Sequence, residues 1–460
     1  MRRSLIALVL AAGEGTRFKS DLPKVLHPLL GRPMIRLVTD SIRRLKPKRI
    51  CLVVGHKKEQ VMAEFAGEDI AFVPQARRLG TAHAVLSAKS VLAAHKDADV
   101  LIINGDLPLL RPSTLKPLLE AHRRKGDDLT FMSAEIENPS GFGRLVRDGG
   151  GAVRIVEEKD ATPEEKNIRE INAGVYVFKV RALLGALPLI KNDNVKGEYY
   201  LTDIVEIMGR KKMRIGLHKT PRASEVVGVN TRFELSRAVA VLREQKAREL
   251  AESGVTIHDP LSAWIDLDVE IGRDTVLYPL VVIEGRTRIG GGCRIYPNVH
   301  ILNSRIGDGV DILSSSVVEE CEIDNGVRIG PFSRLRPKTV LKAGSKVGNF
   351  VEMKNTVFGS RSKALHLSYL GDSVVGEDVN IGAGTITCNY DGIRKNPTYI
   401  EDGAFIGSGT ELIAPVRVGR KAYVAAGSTI TKDVGSEALA IARARQVEKP
   451  GWVRKRPKKA

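Results

Sequence analysis

The chain has 460 residues, with 72 Lys and Arg against 54 Asp and Glu, which gives a formal net charge of +18. That length exceeds what one ordinary hydrophobic core accommodates, so two or more domains are expected. No run of 18 apolar residues occurs, which excludes a membrane-spanning helix. The four cysteines lie far apart without a Cys-x-x-Cys pair, which favours a reducing cytoplasm and argues against disulfides or structural zinc.

The excess of positive charge admits two interpretations. It could serve nucleic-acid binding, or it could form a basic surface for phosphorylated small molecules. Because the basic residues are spread along the chain and no RNA-binding motif accompanies them, we expect small substrates and no nucleic-acid partner. RNA binding through the basic tail 438–460 stays an alternative that steeply salt-dependent binding would reveal.

The first 230 residues alternate short apolar runs with amphipathic stretches, which predicts a Rossmann-like α/β domain with a mostly parallel sheet. The N-terminal apolar run superficially resembles a secretory signal. It has no credible cleavage site and leads straight into a Gly-rich loop, so we interpret it as the first buried strand. The predicted strands are Leu5–Leu10, Ile50–Val54, Val100–Ile103, Leu129–Ala134 and Val175–Phe178, with helices around residues 33–45, 81–95 and 113–124.

Residues 231–253 form a long polar stretch that ends before Gly254, which predicts one linker helix. Residues 254–460 form the second predicted domain, in which apolar residues recur at every sixth position from about residue 262 to residue 435. That spacing would scatter side chains around a helix, whereas an even spacing keeps them on one face of a strand. The anchors form three runs: Ile265, Ile271, Leu277, Ile283, Ile289, Ile295 and Ile301; Ile323, Ile329, Leu335, Leu341, Val347 and Met353; Ile400, Ile406, Leu412, Val418, Val424 and Ile430.

The six-residue period predicts a parallel β-helix of hexapeptide repeats, with three strands to a coil and about eight coils. The repeat is interrupted once, over residues 382–399, and we expect this break to supply functional residues. A basic C-terminal tail follows the last coil.

The sharpest motif in the N-terminal half is a Gly-rich loop that follows the first predicted strand. It reads Leu10-Ala11-Ala12-Gly13-Glu14-Gly15-Thr16-Arg17 and is followed by Pro23-Lys24. Backbone N–H groups of such a loop can approach phosphates closely, because glycine has no Cβ. Arg17 and Lys24 add positive charge that would offset a triphosphate as pyrophosphate leaves. The motif fits neither the dinucleotide-binding loop nor the Walker loop.

A second motif, Asn104-Gly105-Asp106-Leu-Pro, ends an apolar strand and places a carboxylate at the edge of the sheet where ligands bind. Asp106 suits Mg2+, and Asn230 in Gly228-Val-Asn230 is the candidate second ligand. Two protein oxygens together with phosphates suffice for this ion, which keeps several of its waters.

The Gly-rich loop with its following Pro-Lys resembles that of the nucleoside-diphosphate-sugar pyrophosphorylases. With the motifs around Gln75, Leu79-Gly80-Thr81, Gly141-Phe-Gly143-Arg, Glu157, Glu170-Ile-Asn172 and Gly197-Glu-Tyr-Tyr-Leu-Thr202, the whole chain resembles one bacterial family. Its members combine N-acetylglucosamine-1-phosphate uridylyltransferase and glucosamine-1-phosphate N-acetyltransferase activities. The resemblance departs at Asn104, where an aromatic residue is frequent, and at Ala173, where Thr is frequent.

The resemblance implies roles for the N-terminal residues. Gln75, Gly80 and Thr81 would hold the uracil, whereas Gly143, Glu157 and Asn172 would hold the sugar. The remaining residues implied to bind UTP or UDP-N-acetylglucosamine are Leu10, Ala11, Ala12, Gly13, Lys24, Asn104, Gly105, Asp106, Thr202 and Asn230.

In the C-terminal half, the resemblance points to an acyl-transfer site on a left-handed β-helix that forms a homotrimer. Deprotonating a sugar ammonium requires a base that titrates near neutrality, and His366 is the candidate, with Glu352 orienting its ring. Arg336 and Lys354 would bind the sugar phosphate, and Tyr369 and Asn380 the amino sugar. Acetyl-CoA would contact Ala383, Asn389, Tyr390, Ser408, Ala426 and Arg443, of which Asn389 and Tyr390 would also face the amino sugar.

The predicted function is therefore a two-step synthesis in the cytoplasm, for peptidoglycan and lipopolysaccharide precursors. Glucosamine-1-phosphate accepts acetyl from acetyl-CoA, and the product then accepts UMP from UTP with Mg2+ as cofactor. Two alternatives stay open at this point. One is a monofunctional sugar nucleotidyltransferase with a regulatory β-helix, and the other is a catalytically silent scaffold with the same two folds.

Overall fold

The computed structural model describes residues 3–147 and 153–456, so residues 457–460 of the predicted basic tail lie outside the described residues. The chain divides into two compact units, Met1–Leu242 and Arg243–Ala460. The helix Arg232–Glu252 contributes residues to both units, and the predicted division at residues 230 and 253 stays a prediction.

The first unit is built around a sheet whose central strand is Leu5–Ala11. This strand pairs in parallel with Arg49–Val54 on one side and Asp99–Asn104 on the other. The only antiparallel member of the main path, Glu170–Lys179, lies next to Asp99–Asn104. From edge to edge the order is Ile215–Lys219, Leu129–Glu135, Glu170–Lys179, Asp99–Asn104, Leu5–Ala11, Arg49–Val54 and Ala71–Pro74, with Arg144–Arg147 and Val153–Val156 as a side hairpin.

Helices cover both faces of this sheet, and one buried apolar cluster lies on each face. The α-helices are Met34–Arg43, Lys58–Glu64, Thr81–Ser87, Lys89–Ala93, Pro112–Lys125, Pro163–Lys166, Val180–Ala186, Asp203–Arg210 and Arg232–Glu252. Short 3-10 turns are Thr16–Phe18, Lys24–Leu26, Leu187–Leu189, Ala223–Val226 and, in the second unit, Val453–Lys455; a two-stranded ribbon joins Pro28–Leu29 to Arg32–Pro33. Across residues 3–147 and 153–456, every helix falls short of the length and apolar character that crossing a membrane requires.

The second unit is a stack of coils in which each coil gives one strand to each of three parallel sheets. The first sheet has 11 strands: Thr256–Ile257, Val276–Leu277, Arg294–Ile295, Asp311–Ile312, Arg328–Ile329, Lys346–Asn349, Lys363–His366, Asn380–Ile381, Phe405–Ile406, Tyr423–Val424 and Leu439–Ala440. The second has 10: Trp264–Ile265, Val282–Glu284, His300–Leu302, Val317–Glu319, Arg334–Leu335, Glu352–Lys354, Tyr369–Gly371, Ile386–Cys388, Glu411–Ile413 and Thr429–Ile430. The third has nine: Glu270–Ile271, Arg288–Ile289, Arg305–Ile306, Glu322–Ile323, Val340–Leu341, Val357–Phe358, Ser373–Val375, Thr398–Ile400 and Val416–Val418.

The six-residue anchors form the core of this stack, because they face inward and pair with the anchors of neighbouring coils. The fold class, an α/β nucleotidyltransferase domain followed by a left-handed parallel β-helix of hexapeptide repeats, is thereby confirmed. The expected eight coils are too few. Some coils contain a five-residue step, as from Ile301 to Ile306, which breaks the sequence period without interrupting the stack.

The interruption of the repeat is also shorter than predicted. Ile386–Cys388 and Thr398–Ile400 are strands in register with the stack, so the inserted loop comprises only residues 389–397. Thr387, which is buried, takes the anchor position that an apolar residue occupies elsewhere. Because threonine is polar, the apolar six-residue period does not reveal the strand that contains it.

Candidate active sites

A cavity of about 630 Å³ opens at the carboxyl ends of the central strands of the first unit. Ten of the predicted nucleotide-binding residues line it: Leu10, Ala11, Ala12, Gly13, Lys24, Gln75, Gly80, Thr81, Asn104 and Asp106. Parallel strands end at the same edge of a sheet, which explains why motifs far apart in the sequence meet here. Gly105 lies just behind the lining, with its N–H donating to the carbonyl of Leu10 at 2.9 Å.

The Gly-rich loop packs directly against Lys24. Gly15 has a φ of +66°, in the left-handed region that favours glycine, and a Cβ at this position would stand 2.6 Å from Cβ of Lys24. The short helical turn Thr16–Phe18 begins at this residue. Glycine at position 15 therefore lets the loop and the Lys24 side chain share one wall of the cavity.

The Lys24 ammonium joins the two predicted metal ligands. Its Nζ lies 2.6 Å from Oδ2 of Asp106 and 3.1 Å from Oδ1 of Asn230. Both side chains of the ion pair are largely shielded, with 13% exposure for Lys24 and 19% for Asp106. Two oxygens therefore converge on one cationic group at the floor of the cavity.

Asn230 is held in place by the start of the following helix. Oε2 of Glu234 accepts from the backbone N–H of Asn230 at 2.6 Å and from that of Thr231 at 2.9 Å, while the Glu234 N–H donates to the Thr231 hydroxyl at 3.2 Å. This reciprocal capping box ties the Asn230 backbone to a helix terminus. On the other side, the Val229 N–H donates to the Asp106 carbonyl at 2.9 Å, which fixes the two oxygen ligands side by side.

The predicted uracil site is a turn clamped by a second segment. Gly80 has a φ of +109°, and a Cβ there would meet the Tyr199 carbonyl oxygen at 2.5 Å. The Thr81 hydroxyl accepts from the Leu201 N–H at 2.9 Å. Gln75 is buried, and its amide donates to the Gly80 carbonyl at 3.3 Å.

The predicted sugar residues form a connected group that the cavity lining does not include. The Thr202 hydroxyl donates to Oε1 of Glu157 at 3.1 Å, and the Asn172 N–H donates to the Gly143 carbonyl at 2.9 Å. A Cβ on Gly143 would stand 3.6 Å from the Glu157 carboxylate, so the two lie side by side. Burial raises the pKa of Glu157, although the hydrogen bond from Thr202 opposes it.

Next to this group, burial and then the charge of Glu157 raise the pKa of Asp203 to about 6. Arg17, by contrast, is exposed, and its guanidinium has no hydrogen-bond or ion-pair partner among the described residues. Sequence reasoning missed three lining residues with charged side chains, Glu14, Arg78 and Glu198, of which Arg78 and Glu14 form an ion pair of 3.2 Å. Their only signal was proximity to motifs already noted.

In the second unit, one corner of the β-helix carries a column of residues that each follow a first-sheet anchor by two positions. We call Asn349, His366, Ala383, Ser408 and Ala426 the corner column; they follow Val347, Ala364, Ile381, Ile406 and Val424. Since neighbouring strands lie about 4.8 Å apart, the column rises by one such step per coil. The predicted base and three predicted acetyl-CoA residues thus share one corner.

The next turn continues the column, because Arg443 donates from its guanidinium to the Ala426 carbonyl at 2.6 Å. Backbone hydrogen bonds join successive corners below it, from the Gly427 N–H to Ser408 at 2.8 Å and from the Gly409 N–H to Ala383 at 2.7 Å. The corners at Ala383, Ser408 and Ala426 carry small side chains. The lack of bulk leaves the edge of the prism open above His366.

His366 is exposed, and its Nδ1 lies 2.9 Å from Oδ1 of Asn349, one coil below. An amide oxygen can only accept, so Nδ1 donates in this contact, and in the neutral ring the lone pair is then on Nε2. The sequence had assigned ring orientation to Glu352. The structure differs, since Oε1 of Glu352 accepts from Arg336 at 2.9 Å and Asn349 is the partner of the ring.

Cationic side chains gather beside Glu352. Lys354 lies 3.6 Å from the Asp372 carboxylate, and Lys395 of the inserted loop is close enough that the Lys354 ammonium lowers the pKa of Lys395, with a smaller effect of Arg336. Cations held this close to one another repel, which favours the approach of an anion. Arg336 and Lys354 were predicted, whereas Lys395 was missed because its loop lies outside the repeat.

Asn389, at the start of the inserted loop, donates to Asp372 at 2.5 Å, and a Cβ on Gly371 would collide with both the Tyr369 hydroxyl and the Asn389 amide. Burial favours a raised pKa for Asp372, but hydrogen bonds from Asn355 and Asn389 and the charge of Lys354 lower it. Tyr369 and Asn389 thus meet at one point. Tyr390 is instead exposed, with its hydroxyl donating to the Gly392 carbonyl at 2.6 Å.

Asn380 lies on the first sheet between Lys363 and Phe405. Its side chain has no hydrogen bond to any other residue in the described part of the chain. Cys388 is partly buried and burial raises the pKa of its thiol, which fits a bystander and not a nucleophile.

Comparison with known proteins identifies relatives of this chain. A family model described as a MobA-like NTP transferase domain matches residues 7–173. The Bifunctional protein GlmU of Thermotoga maritima is 50% identical over 452 residues, which cover 98% of this chain and 99% of that protein. The protein of the same name from Thermoanaerobacter pseudethanolicus is 47% identical over 456 residues, which cover 99% of each. A solved UDP-glucose pyrophosphorylase complexed with UDP-glucose covers 53% of this chain and 100% of its own, at 18% identity and a TM-score of 0.43, too weak a likeness to carry an argument.

A nucleotidyltransferase fold followed by a hexapeptide β-helix, together with these relatives, defines a transferase with two activities. The chain belongs to the GlmU family of bifunctional enzymes. It acetylates glucosamine-1-phosphate and converts the product into UDP-N-acetylglucosamine. The monofunctional and the catalytically silent alternatives are therefore set aside.

Proposed function

We propose that the cavity of the first unit is the uridylyl-transfer centre. The observation that carries this assignment is the Lys24 ammonium, which contacts Asp106 and Asn230 beneath the Gly-rich loop. The phosphate oxygen of N-acetylglucosamine-1-phosphate would attack the α-phosphorus of UTP there, with pyrophosphate as leaving group. Lys24 and the unpaired Arg17 would offset the charge on the triphosphate, which is the main task in such a transfer.

We infer that Asp106 and Asn230 would hold Mg2+. Their oxygens fit the ion, since both already converge on a single cation, and carboxylate and amide oxygens are its preferred protein ligands. No three His, Cys, Asp or Glu side chains of the described residues converge as a metal site, so phosphates and water would complete the coordination. When bound, Mg2+ would neutralise phosphate charge, while Lys24 keeps its own ammonium for the leaving pyrophosphate.

The uracil would bind against Gln75, Gly80 and Thr81, whose turn is fixed by Tyr199 and Leu201. The acetylamino sugar would bind where Gly143, Glu157, Asn172 and Thr202 lie together. Glycine at position 143 lets the backbone pack against Ile155, since a Cβ there would stand 2.9 Å from its side chain. The segment 199–202 contacts both groups, since Tyr199 and Leu201 meet the uracil turn and Thr202 meets Glu157.

We propose that the corner column and the neighbouring cations form the acetyl-transfer centre. Nε2 of His366 would take a proton from the substrate ammonium, so that the amine nitrogen bonds to the thioester carbonyl carbon. The carbon–sulfur bond would then break and the proton would pass from Nε2 to the departing CoA sulfur. The attacking nitrogen would release its second proton to water, which leaves a neutral amide. Asn349 holds Nδ1 protonated and leaves Nε2 free for this task.

Arg336, Lys354 and Lys395 would bind the phosphate of glucosamine-1-phosphate, and Tyr369, Asn380 and Asn389 would face the sugar. Acetyl-CoA would lie along Ala383, Ser408 and Ala426, where the small side chains leave the edge of the prism open. Arg443, at the far end of this edge, would contact a CoA phosphate. Tyr390 would pack at the rim.

We also propose a homotrimer formed through the β-helix. Its support is the apolar outer face of the third sheet, where Val357, Val374 and Tyr399 are 37%, 44% and 36% exposed. In the inserted loop Ile393 is 87% exposed, and an apolar surface of this kind marks an interface. A cytoplasmic location is supported by four cysteines without a disulfide.

A pair of charge-removing variants tests both assignments. Lys24→Gln should lower kcat/KM of uridylyl transfer on the order of 10–100-fold, the worth of one charged hydrogen bond, and leave acetyl transfer unchanged. Lys354→Gln should raise KM for glucosamine-1-phosphate in acetyl transfer by a similar factor and leave uridylyl transfer unchanged. Each variant serves as the control of the other. Equal losses in both assays from either variant would contradict the assignments.

A further inference from the structure

A second cavity, of about 610 Å³, lies in the first unit at the opposite end of the central strand from the nucleotide cavity. Leu5, where the strand begins, lines this cavity, whereas Leu10, near its end, lines the other. The five-residue separation corresponds to about 17 Å of extended chain. None of the residues assigned to either reaction lines this second cavity.

The charges around this cavity are almost all positive. Its lining includes six cationic side chains and a single carboxylate, that of Glu120; the cations are Arg3, Arg44, Lys46, Lys48, Lys116 and Arg123. Arg3 and Arg123 share the buried carboxylate of Asp99, at 3.8 and 3.0 Å. The other four cations have no ion-pair partner among the described residues, and each of the four is exposed.

Helix ends explain part of this pattern but not the rest. Arg44 follows the C-terminus of the helix Met34–Arg43, and Arg123 lies in the last turn of Pro112–Lys125, where cations are favourable. Lys116 lies in the second turn of that same helix, where neither helix end favours a cation. Lys46 and Lys48 belong to the loop before the strand Arg49–Val54. At least three cations therefore converge without a structural reason.

The walls favour a small anion over a nucleic acid. Leu5, Leu45 and Leu119 give the cavity an apolar side, and its volume matches a small molecule. Single-stranded nucleic acids are bound by aromatic stacking along an extended groove, and no aromatic side chain is among the lining residues that the structure describes. Several cations around one concavity suit linked phosphate groups.

We propose that this basic cavity binds a small polyphosphate, a molecule with two or more linked phosphate groups, at a site distinct from both catalytic centres. The shared chemistry covers inorganic polyphosphates and nucleoside polyphosphates alike. Binding would neutralise Arg44, Lys46, Lys48 and Lys116, whose mutual repulsion the fold otherwise bears. The cavity also gives part of the high net charge a specific role.

Calorimetric titration of the full chain with inorganic triphosphate tests the proposal. EDTA would be present, and UDP-N-acetylglucosamine and glucosamine-1-phosphate would fill the two substrate sites. One further binding site is expected, and Lys46→Gln/Lys48→Gln should weaken it on the order of tenfold or more. The control is Lys211→Gln/Lys212→Gln, which removes the same charge from exposed positions of the same unit; Lys212 shares the positive φ of Lys46. The affinity of this control variant for triphosphate should stay within about twofold of the wild-type value.

Absence of a further site, or equal weakening in the control pair, would overturn the proposal, because equal weakening would mean diffuse attraction to net charge. Tighter binding of a 20-nucleotide RNA than of triphosphate, equally lowered in both pairs, would overturn it too. Pyrophosphate and ATP as further probes separate inorganic from nucleoside sources. At low salt, the Lys46→Gln/Lys48→Gln variant should have a Tm at or above that of the wild type, because it loses charge repulsion. A much lower Tm together with unweakened triphosphate binding would contradict the proposed binding site.

Discussion

The two catalytic centres are built on opposite principles. In the first unit, the site is assembled from loops that leave different strands, and its key ion pair joins Lys24 to Asp106, 82 residues later. In the second unit, Asn349 and His366 occupy the same position of successive coils and meet through the repeat itself. The first centre therefore depends on tertiary contacts that hold its loops, whereas the second is carried by a periodic scaffold and needs little beyond it.

This difference predicts unequal tolerance to backbone change. A glycine that lets two loops touch should be essential in the first unit, while the prism should absorb changes that leave its corners intact. Three substitutions test this difference between the two units.

Gly80→Ala should have the largest effect, because a Cβ would meet the Tyr199 backbone at 2.5 Å and displace the uracil turn. A displacement of this size should lower kcat/KM for UTP on the order of 100-fold. Gly67→Ala is the control, since Gly67 has a φ of +81° and nothing within 4 Å of the added Cβ. If the two variants lose uridylyl transfer equally, backbone strain and not the close approach is responsible.

Asn349→Asp should have an intermediate effect, confined to acetyl transfer. A carboxylate at Nδ1 favours the protonated ring of His366, so the acid limb of the kcat/KM profile should move to higher pH, with about tenfold less activity at its low-pH end. Asn349→Ala should lower kcat without that displacement. Asn298→Asp, at a corner three coils earlier, is the control and should leave the profile unchanged. An unshifted profile in Asn349→Asp would mean that Asn349 does not orient the base.

Asp203→Asn should have the smallest effect, on stability. Burial and the neighbouring Glu157 raise the pKa of Asp203 from 3.8 to about 6, so the unfolded chain loses this proton at lower pH than the folded chain. The native state therefore loses stability from about pH 4 to about pH 6 and regains none above. Because solvent screens the partly exposed carboxylate, the Asp203→Asn variant should gain only on the order of 1 kcal/mol in its free energy of unfolding, or about 2–4 °C in Tm.

That gain should be present at pH 7.5 and shrink at pH 4.5. The matched control is Asp193→Asn, which neutralises an exposed carboxylate of the same unit and should leave Tm unchanged at both values. A gain in Tm that is independent of pH would show that charge burial is not its cause.

The two units also differ in how much of their structure the sequence predicts. In the β-helix, spacing alone predicts which residues face inward: the anchors of the three runs are core residues, except Ile271, which is partly buried and packs against the core. Spacing did not predict the five-residue steps or the Thr387 anchor. Both fit the geometry of the coil, but neither follows the six-residue apolar period. Asn349 precedes Glu352 by three residues in the sequence, but only the register shows that it lies directly below His366.

In the first unit, the motifs predict the lining of the cavity because parallel strands end at one edge. They do not predict the contacts between loops, such as the clamp of Tyr199 on Gly80. Lys395 illustrates the same limit in the second unit, since the inserted loop has no period. Contacts that depend on loop conformation carry no local sequence signal.

The central claim is that one chain carries two complete and separable centres. It is tested most directly by a complementation assay with Asp106→Ala and His366→Ala, supplied with glucosamine-1-phosphate, acetyl-CoA, UTP and Mg2+. Each variant alone should form almost no UDP-N-acetylglucosamine, whereas an equimolar mixture should restore synthesis, because the acetylated intermediate diffuses from one protein to the other. Synthesis by either variant alone, or a mixture that stays inactive while each variant retains its other half-reaction, would contradict the account.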